Sequence, residues 1–519
     1  MNYLRYQLLL VLVITCLSDS YTQEIPVSRV DSCVERVLQI FNVPGIAVGI
    51  IHKDSVILAK GYGIGNIETG ELVGSGTNFG IASNSKAFTS TALLLLEQEK
   101  KLMLDDKVKK YIPEFKMYND YVTEEFTIRD LLTHRSGLGL GAGDLMVWPD
   151  GHDFTPEDIV ANIQYLKPVS GFRSKYDYDN LLYIIAGVVI ERVSGMTWTD
   201  FIRERFIEPL GMSRTGASWN TLKDKSDVIV PHVPVEGKLK VIDRYTNPVF
   251  DAAAGLYSNI DDLIKWVRFQ LNHGQTPEGE QIVRKNFMDQ LNKPQTIMNQ
   301  FTRPPYHSLF KAYGLGFQLQ DVAGKLEVSH TGGLEGIVTQ IVMFPQLELG
   351  IIVLTNQQEG AAFMAVSNTI KDFYLGLPYL DWVGEYKRLT TLRNEDAGKT
   401  VDEVWKTVEQ NQMKKIFSPV DIAGSYKDPW FGEITITKKQ GEHAWRFVSK
   451  RSSQLKGDVF YYKDNGYVVK WDNEYLHADA FIMIKHHDDK VAAVTMKPIS
   501  PLTDFSYDFQ DLYFTPVEK

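Results

Sequence analysis

The stretch Phe79-Gly-Ile-Ala-Ser83-Asn-Ser-Lys86-Ala-Phe-Thr-Ser-Thr-Ala-Leu-Leu-Leu-Leu96 joins a short apolar run to a strongly apolar helical pattern. Its apolar spacing predicts a helix from Ser83 to about Glu99. A lysine three residues after a serine lies one turn away, on the same face of such a helix. A serine hydroxyl needs a nearby base, and a buried lysine with a lowered pKa can accept its proton. Ser83 and Lys86 are therefore a candidate nucleophile and base.

The Ser-x-x-Lys pattern alone is weak, because the chain contains it three times. The other copies are Ser308-Leu-Phe-Lys311, which follows two prolines, and Ser453-Gln-Leu-Lys456, which lies in a charged patch. For an isolated copy the alternative is a capping serine beside a solvated lysine. Only Ser83 follows an apolar run and opens a strong helix, so the context selects it.

A second element is Tyr178-Asp-Asn180, which precedes an apolar helical pattern at 181–193. A phenol near a lysine can carry a proton to a leaving group. The asparagine can bind a substrate amide and hold the lysine. Tyr245-Thr-Asn247 and Tyr257-Ser-Asn259 repeat the pattern, and the alternative for each copy is a buried tyrosine beside a capping or turn asparagine.

A third element is His330-Thr331-Gly332-Gly333, predicted to lie just before a strand at 337–344. Glycines allow the backbone to approach a ligand closely, and an N–H at the edge of a strand can complete an oxyanion hole. His330 is a candidate for binding a substrate carboxylate or assisting proton transfer. The alternative for these four residues is an ordinary loop.

The order of predicted elements indicates an α/β (α+β) domain at 21–376. A hairpin at 45–62, strands at 337–344 and 349–355 and a closing helix at about 362–375 suggest one sheet completed by both ends of the domain. Residues 377–418 are predicted to be a linker with an amphipathic helix at 399–416. Residues 419–519 show short alternating segments, which predict a small C-terminal all-β barrel or sandwich.

Taken together and in this order, the three elements resemble those of the serine β-lactamase and penicillin-binding-protein superfamily, on its class C, DD-peptidase and esterase (peptidase S12-like) side. The resemblance covers roughly residues 30–376, and the C-terminal segment resembles a lipocalin-like β domain. The supporting stretches are Pro44-Gly-Ile-Ala-Val48, Leu131-Leu-Thr-His-Arg-Ser-Gly-Leu138, Gly255-Leu-Tyr-Ser258 and Ile352-Val-Leu-Thr-Asn356.

The resemblance implies an antiparallel sheet flanked by helices, an all-helical subdomain, and a site between them that needs no metal or cofactor. It implies that Ser83 is acylated, Lys86 is its base, Tyr178 shuttles a proton and Asn180 binds substrate. His330, Thr331, Gly332 and Gly333 would complete the substrate site, with Gly333 as the second oxyanion donor. His330 stands where many members have a lysine that binds carboxylates, which weakens the expectation of lactamase activity. A deacylating glutamate of the class A type is not identifiable.

The first 20 residues predict a signal peptide, with Arg5 before the apolar run Leu8–Leu17 and small residues at its end. The run is too short for a transmembrane anchor, so a secreted protein is expected. A net charge of −10 argues against nucleic-acid binding. The expected partner is a small-molecule or peptide substrate. Loops at 138–175 and 296–315 are predicted to give it an aromatic rim, composed of Trp148, Phe154, Phe172, Phe301 and Tyr306.

Two other functions are compatible with parts of the sequence. One is a non-catalytic or weakly active extracellular-matrix component on the same fold, for example of shell organic matrix, since a fold does not prove turnover. The other is a metallohydrolase. His134 and His330 are far apart in sequence, and His486-His487-Asp488-Asp489 reads as a polar turn, so this interpretation is disfavoured.

Overall fold

The structure is a computed structural model that describes residues 24–517, apart from 301–303, 417, 419, 440–443 and 488–489. The predicted signal peptide, Phe301 and the Asp488-Asp489 pair lie outside the described residues. Among the described residues, no single helix has the length and apolar composition of a membrane span. The helices Leu181–Ser194 and Trp198–Ile207 meet the criteria only as a pair, bent by 77°.

An eight-stranded antiparallel sheet forms the centre of the first domain, in the order β2-β1-β12-β11-β10-β9-β8-β7. The strands are β1 (Gly45–His52), β2 (Ser55–Gly63), β3 (Phe79–Gly80), β4 (His232–Val235), β5 (Lys238–Val241), β6 (Tyr257–Ser258), β7 (Thr296–Ile297), β8 (Lys311–Tyr313), β9 (Gln318–Val322), β10 (Lys325–Leu334), β11 (Ile337–Phe344) and β12 (Leu349–Thr355). The predicted hairpin is β1–β2. Because β1 pairs with β12, both ends of the domain complete one sheet, as predicted.

Helices cover both faces of this sheet. They are α1 (Val27–Ile40), α2 (Ser85–Gln98), α3 (Asp120–Glu125), α4 (Ile128–Leu131), α5 (Pro156–Asn162), α6 (Leu181–Ser194), α7 (Trp198–Ile202), α8 (Asp251–Ala254), α9 (Ile260–Leu271), α10 (Lys285–Met288) and α11 (Gly360–Tyr374). Ile46, Val48 and Ile50 of β1 pack in one apolar cluster with α1 and α11. On the opposite face, a Cβ at Gly49 would lie 2.9 Å from Ile260, so this glycine permits the close approach of α9.

The all-helical subdomain is built around α2 and α6. Every residue of α2 from Ser85 to Leu96 is buried, which accounts for an apolar pattern that is not confined to one face. Residues 181–190 of α6 are likewise buried, and this helix packs against α2 and α8. A 3₁₀ turn, Ala82–Asn84, precedes α2 and contacts β10. Ser83 therefore lies where the subdomain meets the sheet.

A long helix connects the first domain to a C-terminal barrel. Helix α12 (Trp382–Lys414) has 33 residues and packs on α11 and on the barrel, whereas the sequence predicted a helix only at 399–416. The start of α12 has apolar side chains at helical spacing (Trp382, Tyr386 and Leu389), a signal that the prediction missed, and residues 391–396 are all exposed.

The C-terminal strands close into an eight-stranded barrel, which confirms the barrel prediction. They are β13 (Gly424–Asp428), β14 (Gly432–Lys438), β15 (Trp445–Ser449), β16 (Lys456–Lys463), β17 (Gly466–Trp471), β18 (Ala480–His487), β19 (Lys490–Pro498) and β20 (Tyr513–Pro516). Large buried side chains, including Trp445, Phe447 and Trp471, pack in its core. Two barrel segments, 451–453 and 504–508, contact the first domain.

Candidate active site

Ser83 lies at the floor of a cavity, in the 3₁₀ turn before α2. Ala82, the residue before it, has a φ of 50°, a left-handed conformation that is costly for a residue with a Cβ. Asn84 holds the turn in place, because its side-chain amide donates a hydrogen bond to Thr339 Oγ1 of β11 at 2.9 Å. The sheet thus fixes the direction in which the Ser83 hydroxyl projects.

Lys86 is completely buried and makes three short contacts through Nζ. Its Nζ lies 3.0 Å from Ser83 Oγ, 2.8 Å from Asn180 Oδ1 and 3.1 Å from the Ala253 carbonyl oxygen. The last two atoms only accept hydrogen bonds, so a neutral amine can donate to both and keep its lone pair for the Ser83 proton. Burial lowers the pKa of Lys86 to about 7, although Asp144 and Asp179 oppose this shift. A large fraction of Lys86 is therefore neutral near neutral pH.

Tyr178 is the second residue in contact with the Ser83 hydroxyl. Burial raises the pKa of its phenol well above the usual value, against a hydrogen bond with Ser83 that lowers it. The centre of its ring is 4.9 Å from Lys86 Nζ. Tyr178 is therefore a neutral phenol in contact with both members of the Ser83–Lys86 pair, and it can relay a proton without being a strong base itself.

Asn180 holds the lysine. Its Oδ1 accepts from Lys86, and its Nδ2 donates to Asp144 Oδ2 at 2.8 Å. Both polar atoms of the amide are thus engaged within the protein, although Asn180 also lines the cavity. The sequence predicted Asn180 chiefly as a substrate ligand, and the geometry gives it first a role in orienting Lys86.

The residues His330, Thr331, Gly332 and Gly333 lie inside strand β10, whereas the sequence placed them just before a strand, with an ordinary loop as the alternative. Pairing with β11 continues through all four residues, which explains why a glycine-rich stretch stays extended. A Cβ at Gly332 would lie 2.3 Å from the Ile81 carbonyl oxygen, whereas a Cβ at Gly333 would meet nothing within 4 Å. Gly332 therefore lets β10 pack on the Ser83 turn, and Gly333 faces the open cavity.

His330 is neutral in this environment. Its Nε2 lies 3.0 Å from the Tyr313 hydroxyl and its Nδ1 lies 2.5 Å from the Thr331 carbonyl oxygen. Burial lowers the pKa of His330 to about 3, and the charge of Lys86 adds to this effect. At neutral pH His330 thus supplies no positive charge to a substrate carboxylate.

His134 is a site neighbour that the sequence did not single out for this role. The centre of its ring is 4.3 Å from that of Tyr178 and 4.5 Å from that of Tyr313. His134 and His330, which are distant in sequence, therefore contact the same tyrosine. Burial lowers the pKa of His134 well below its usual value, and among the described residues no group of three His, Cys, Asp or Glu side chains is arranged for a metal ion.

The cavity above Ser83 has a volume of about 320 Å³. Both domains form its walls, because Asp504, Phe505 and Ser506 of the barrel line it together with residues of the first domain. The first-domain residues include Leu140, Trp148, Tyr176, Tyr178, Phe250, Met298, His330, Thr331, Gly333 and Gln358. The barrel is therefore part of the site, a feature that the sequence left open.

The predicted aromatic rim is largely wrong. Trp148 lines the cavity, but Phe154 packs against Phe431 of the barrel and Phe172 packs against Phe126. Tyr306 stacks on Trp382. The exposed aromatic side chain that the sequence missed is Phe505, whose ring lies 5.8 Å from that of Tyr178.

Three of the four other copies of the sequence patterns have structural roles. Ser453 donates to the Gly151 carbonyl oxygen at 2.8 Å, between the domains. The Tyr245 hydroxyl donates to the Val147 carbonyl oxygen at 2.8 Å. The Tyr257 hydroxyl donates to the Tyr245 carbonyl oxygen at 3.0 Å. Asn247 and Asn259 cap the helical segments that follow them.

Both domains match known protein families. The family model described as Beta-lactamase matches residues 30–374, and one described as a domain of unknown function, DUF3471, matches residues 420–516. Protein flp of Staphylococcus aureus (strain MRSA252) is 28% identical over 344 residues, which cover 63% of this chain and 62% of that protein. The Unguisins hydrolase ungD' of Aspergillus campestris is 25% identical over 429 residues, covering 78% of this chain and 76% of that protein.

Solved structures share the fold. The octameric penicillin-binding protein homologue from Pyrococcus abyssi has a TM-score of 0.60 at 23% identity and covers 92% of this chain and 99% of its own. A class C beta lactamase from Rhodobacter sphaeroides has a TM-score of 0.53 at 18% identity, and the match covers 67% of this chain and 98% of that protein. The fold and the match over 30–374, more than half of the chain, confirm the resemblance seen in the sequence. The chain belongs to the Beta-lactamase family, whose members share this serine-hydrolase fold.

Proposed function

We propose that this protein hydrolyses an ester, amide or peptide bond through an acyl-Ser83 intermediate. The observation that carries the proposal is the environment of Lys86, whose Nζ lies 3.0 Å from Ser83 Oγ while two acceptor atoms hold its other side. A serine becomes a nucleophile when a base with a pKa near the working pH can take its proton. Lys86, with a pKa lowered to about 7, meets that requirement.

In the first step Ser83 Oγ bonds to the acyl carbon as its proton moves to Lys86 Nζ. The carbonyl oxygen takes up the negative charge, and backbone N–H groups at Ser83 and Gly333 are the candidates for stabilising it. Tyr178, which contacts both Ser83 and Lys86, gives its phenol proton to the leaving oxygen or nitrogen as the bond from that atom to the acyl carbon breaks. Tyr178 then takes up the proton that Lys86 received from Ser83. Water then adds its oxygen to the acyl carbon as the bond to Ser83 Oγ breaks, so the acid takes the hydroxyl of the water and Ser83 Oγ takes the other proton of the water.

The site favours acyl donors that need no anchor for a carboxylate. His330 is neutral, and the cavity also presents the Asp504 side chain and the apolar side chains of Leu140, Trp148 and Phe505. This environment supports ester, amide or peptide substrates with an apolar acyl part over penicillin-like anions. The hydrolase name of the relative ungD' is consistent with acyl hydrolysis, and it is said of that protein only.

The test is intact mass after incubation with a fluorophosphonate, which phosphonylates activated serines. We expect one adduct on the wild type, none on Ser83→Ala, and one on Ser308→Ala, which removes the serine of a second Ser-x-x-Lys copy. An adduct that persists in Ser83→Ala would remove Ser83 from the mechanism. A wild type that forms no adduct and hydrolyses no ester or peptide would favour the non-catalytic matrix interpretation.

The proposed location is outside the cell, which rests on the sequence of residues 1–20. Expression of the full chain in a secretory host, followed by N-terminal sequencing of the medium protein, tests it. We expect a mature end near residue 20, and a protein that is retained with an intact N-terminus would contradict secretion.

A further inference from the structure

A loop at residues 139–146 lies between the catalytic side chains and the barrel. Its Asp144 side chain is completely buried, and Asp144 Oδ2 accepts two hydrogen bonds. One comes from Asn180 Nδ2 at 2.8 Å and the other from Ser506 Oγ of the barrel at 2.9 Å. Since Asn180 also accepts from Lys86, side-chain hydrogen bonds run without interruption from the barrel to the catalytic lysine.

Other contacts fix the same loop from both sides. On the barrel side, Asp508 Oδ2 accepts from the Gly143 N–H at 2.6 Å. A Cβ at Gly141, which has a φ of 69°, would lie 2.7 Å from the Phe505 carbonyl oxygen, so the barrel backbone lies directly on this glycine. On the catalytic side, the Gly141 N–H donates to the Tyr178 carbonyl oxygen at 2.8 Å. The loop is therefore held by the barrel on one side and by the backbone of Tyr178 on the other.

We propose that Asp144 is a positioning residue for Lys86 and that Ser506 completes it, so the C-terminal barrel is a working part of the acyl-transfer site. The inference rests on the proposed function for the role of Lys86 as the base. It assigns to the barrel a function that neither its fold nor its filled core indicates.

The physical reason is the freedom of an amide to rotate. Lys86 acts as a base only while its lone pair faces Ser83, which requires the Asn180 oxygen to face Nζ. Asp144 accepts from the Asn180 nitrogen and so excludes the flipped amide, in which two N–H donors would face each other. Asp144 Oδ1 has no hydrogen-bond partner among the described residues, so Oδ2 and its two donors hold the carboxyl.

The charges around these groups set the direction of a pH effect. Lys86 faces the carboxyls of Asp144 and Asp179 and the rings of Tyr178 and Tyr183. Asp144 faces Asp179, Asp508 and Lys86. Burial raises the pKa of Asp144 well above its usual value, and the hydrogen bonds from Asn180 and Ser506 oppose this. Loss of the Ser506 hydroxyl thus favours neutral Asp144, removes negative charge near Lys86 and lowers the lysine pKa further.

The experiment uses the full chain with Ser506→Ala, Asp144→Asn, the double variant, and Thr503→Ala as control. The Thr503 hydroxyl donates within the barrel, to the His477 carbonyl oxygen. The first readout is the rate of Ser83 labelling by a fluorophosphonate between about pH 5 and 9. The second is the titration of Lys86 by NMR of ¹³C-lysine protein, with the signal identified by its loss in Lys86→Arg. Circular dichroism and urea unfolding establish that each variant is folded.

We expect Ser506→Ala and Asp144→Asn each to lower the limiting labelling rate about tenfold, because each weakens the hydrogen bonding that orients Asn180. Both move the Lys86 titration to lower pH, and Asp144→Asn moves it further. In the Asp144→Asn background, Ser506→Ala adds less than about twofold, because both act through one carboxyl. Thr503→Ala changes neither readout.

The inference is overturned if Ser506→Ala keeps the wild-type rate and titration, or if Thr503→Ala reproduces its effects. Its failure is distinct from that of the proposed function. Labelling that Ser83→Ala abolishes but Ser506→Ala leaves unchanged rejects the barrel's role alone. A wild type without labelling, whose Lys86 titration still shifts as expected, rejects the proposed hydrolase and retains the coupling.

Discussion

Two of the three regions that contain the Ser-x-x-Lys pattern use it in opposite ways. At Ser83–Lys86 the lysine is completely buried and lies 3.0 Å from the serine hydroxyl. At Ser453–Lys456 the lysine is exposed at the start of β16, and the serine donates to a carbonyl oxygen of the first domain. The pattern therefore carries no chemistry by itself. Burial of the lysine lowers its pKa, and neighbours that accept from the amine direct it at the serine.

The largest expected difference between the two copies comes from replacing their lysines. Lys86→Met keeps a long apolar side chain but removes the base, so labelling of Ser83 should fall by about 10³-fold or more. Lys456→Met should stay within about twofold of the wild type, because an exposed lysine contributes little. Second-order labelling rates at about pH 8 measure both. Lys86→Met at more than a tenth of the wild-type rate would mean that another group is the base.

Two of the three Tyr-x-Asn copies permit a similar comparison. Tyr178→Phe removes the phenol that contacts Ser83, and we expect about a 10²-fold loss in the turnover of an ester. Tyr245→Phe removes a buried hydrogen bond to the Val147 carbonyl oxygen. It should lower the free energy of unfolding by about 1 kcal/mol while turnover stays within about threefold. Urea unfolding and steady-state kinetics separate the two results, and equal losses of turnover would break the distinction.

The pH dependence of labelling tests which group titrates. Because neutral Lys86 is the base and its pKa is about 7, the rate should rise with pH below about 7 and level off above it. His330, with a pKa lowered to about 3, is already neutral over this range. His330→Gln should therefore leave the midpoint in place, even if it changes the limiting rate. A midpoint that disappears in His330→Gln would assign the titration to the histidine.

The sequence predicts the parts of the fold that have a local period. The hairpin β1–β2, helices α2 and α6 and strands β11 and β12 follow from patterns within windows of a few turns or alternations. The extended conformation of His330–Gly333 does not, because it is imposed by pairing with β11, and glycine disfavours a strand prediction. Only the second half of α12 was predicted, although Trp382, Tyr386 and Leu389 recur at helical spacing in its first half.

The site residues also fall into those that a local pattern predicts and those that it does not. Ser83, Lys86, Tyr178 and Asn180 belong to patterns in which spacing reflects contact, and the structure brings them together. Asp144 and Ser506 are 362 residues apart, and no pattern near either residue indicates the other. Likewise His134 and His330 are distant in sequence but share Tyr313. Contacts made by the packing of one domain on another have no local signal, so only the three-dimensional structure reveals them.

The smallest expected effect concerns Ser453, the serine of the Ser-x-x-Lys copy in the barrel. Ser453 is exposed, and its hydroxyl donates to the Gly151 carbonyl oxygen beside Arg451, which pairs with Asp158 at 2.7 Å. Because water can replace an exposed hydroxyl, Ser453→Ala should lower the free energy of unfolding by no more than about 0.5 kcal/mol. Labelling of Ser83 should be unchanged, since the segment at 504–508, and not this contact, reaches the site. A loss of labelling in folded Ser453→Ala would mean that the copy in the barrel also acts on catalysis. The contrast between Ser83–Lys86 and Ser453–Lys456 would then no longer hold.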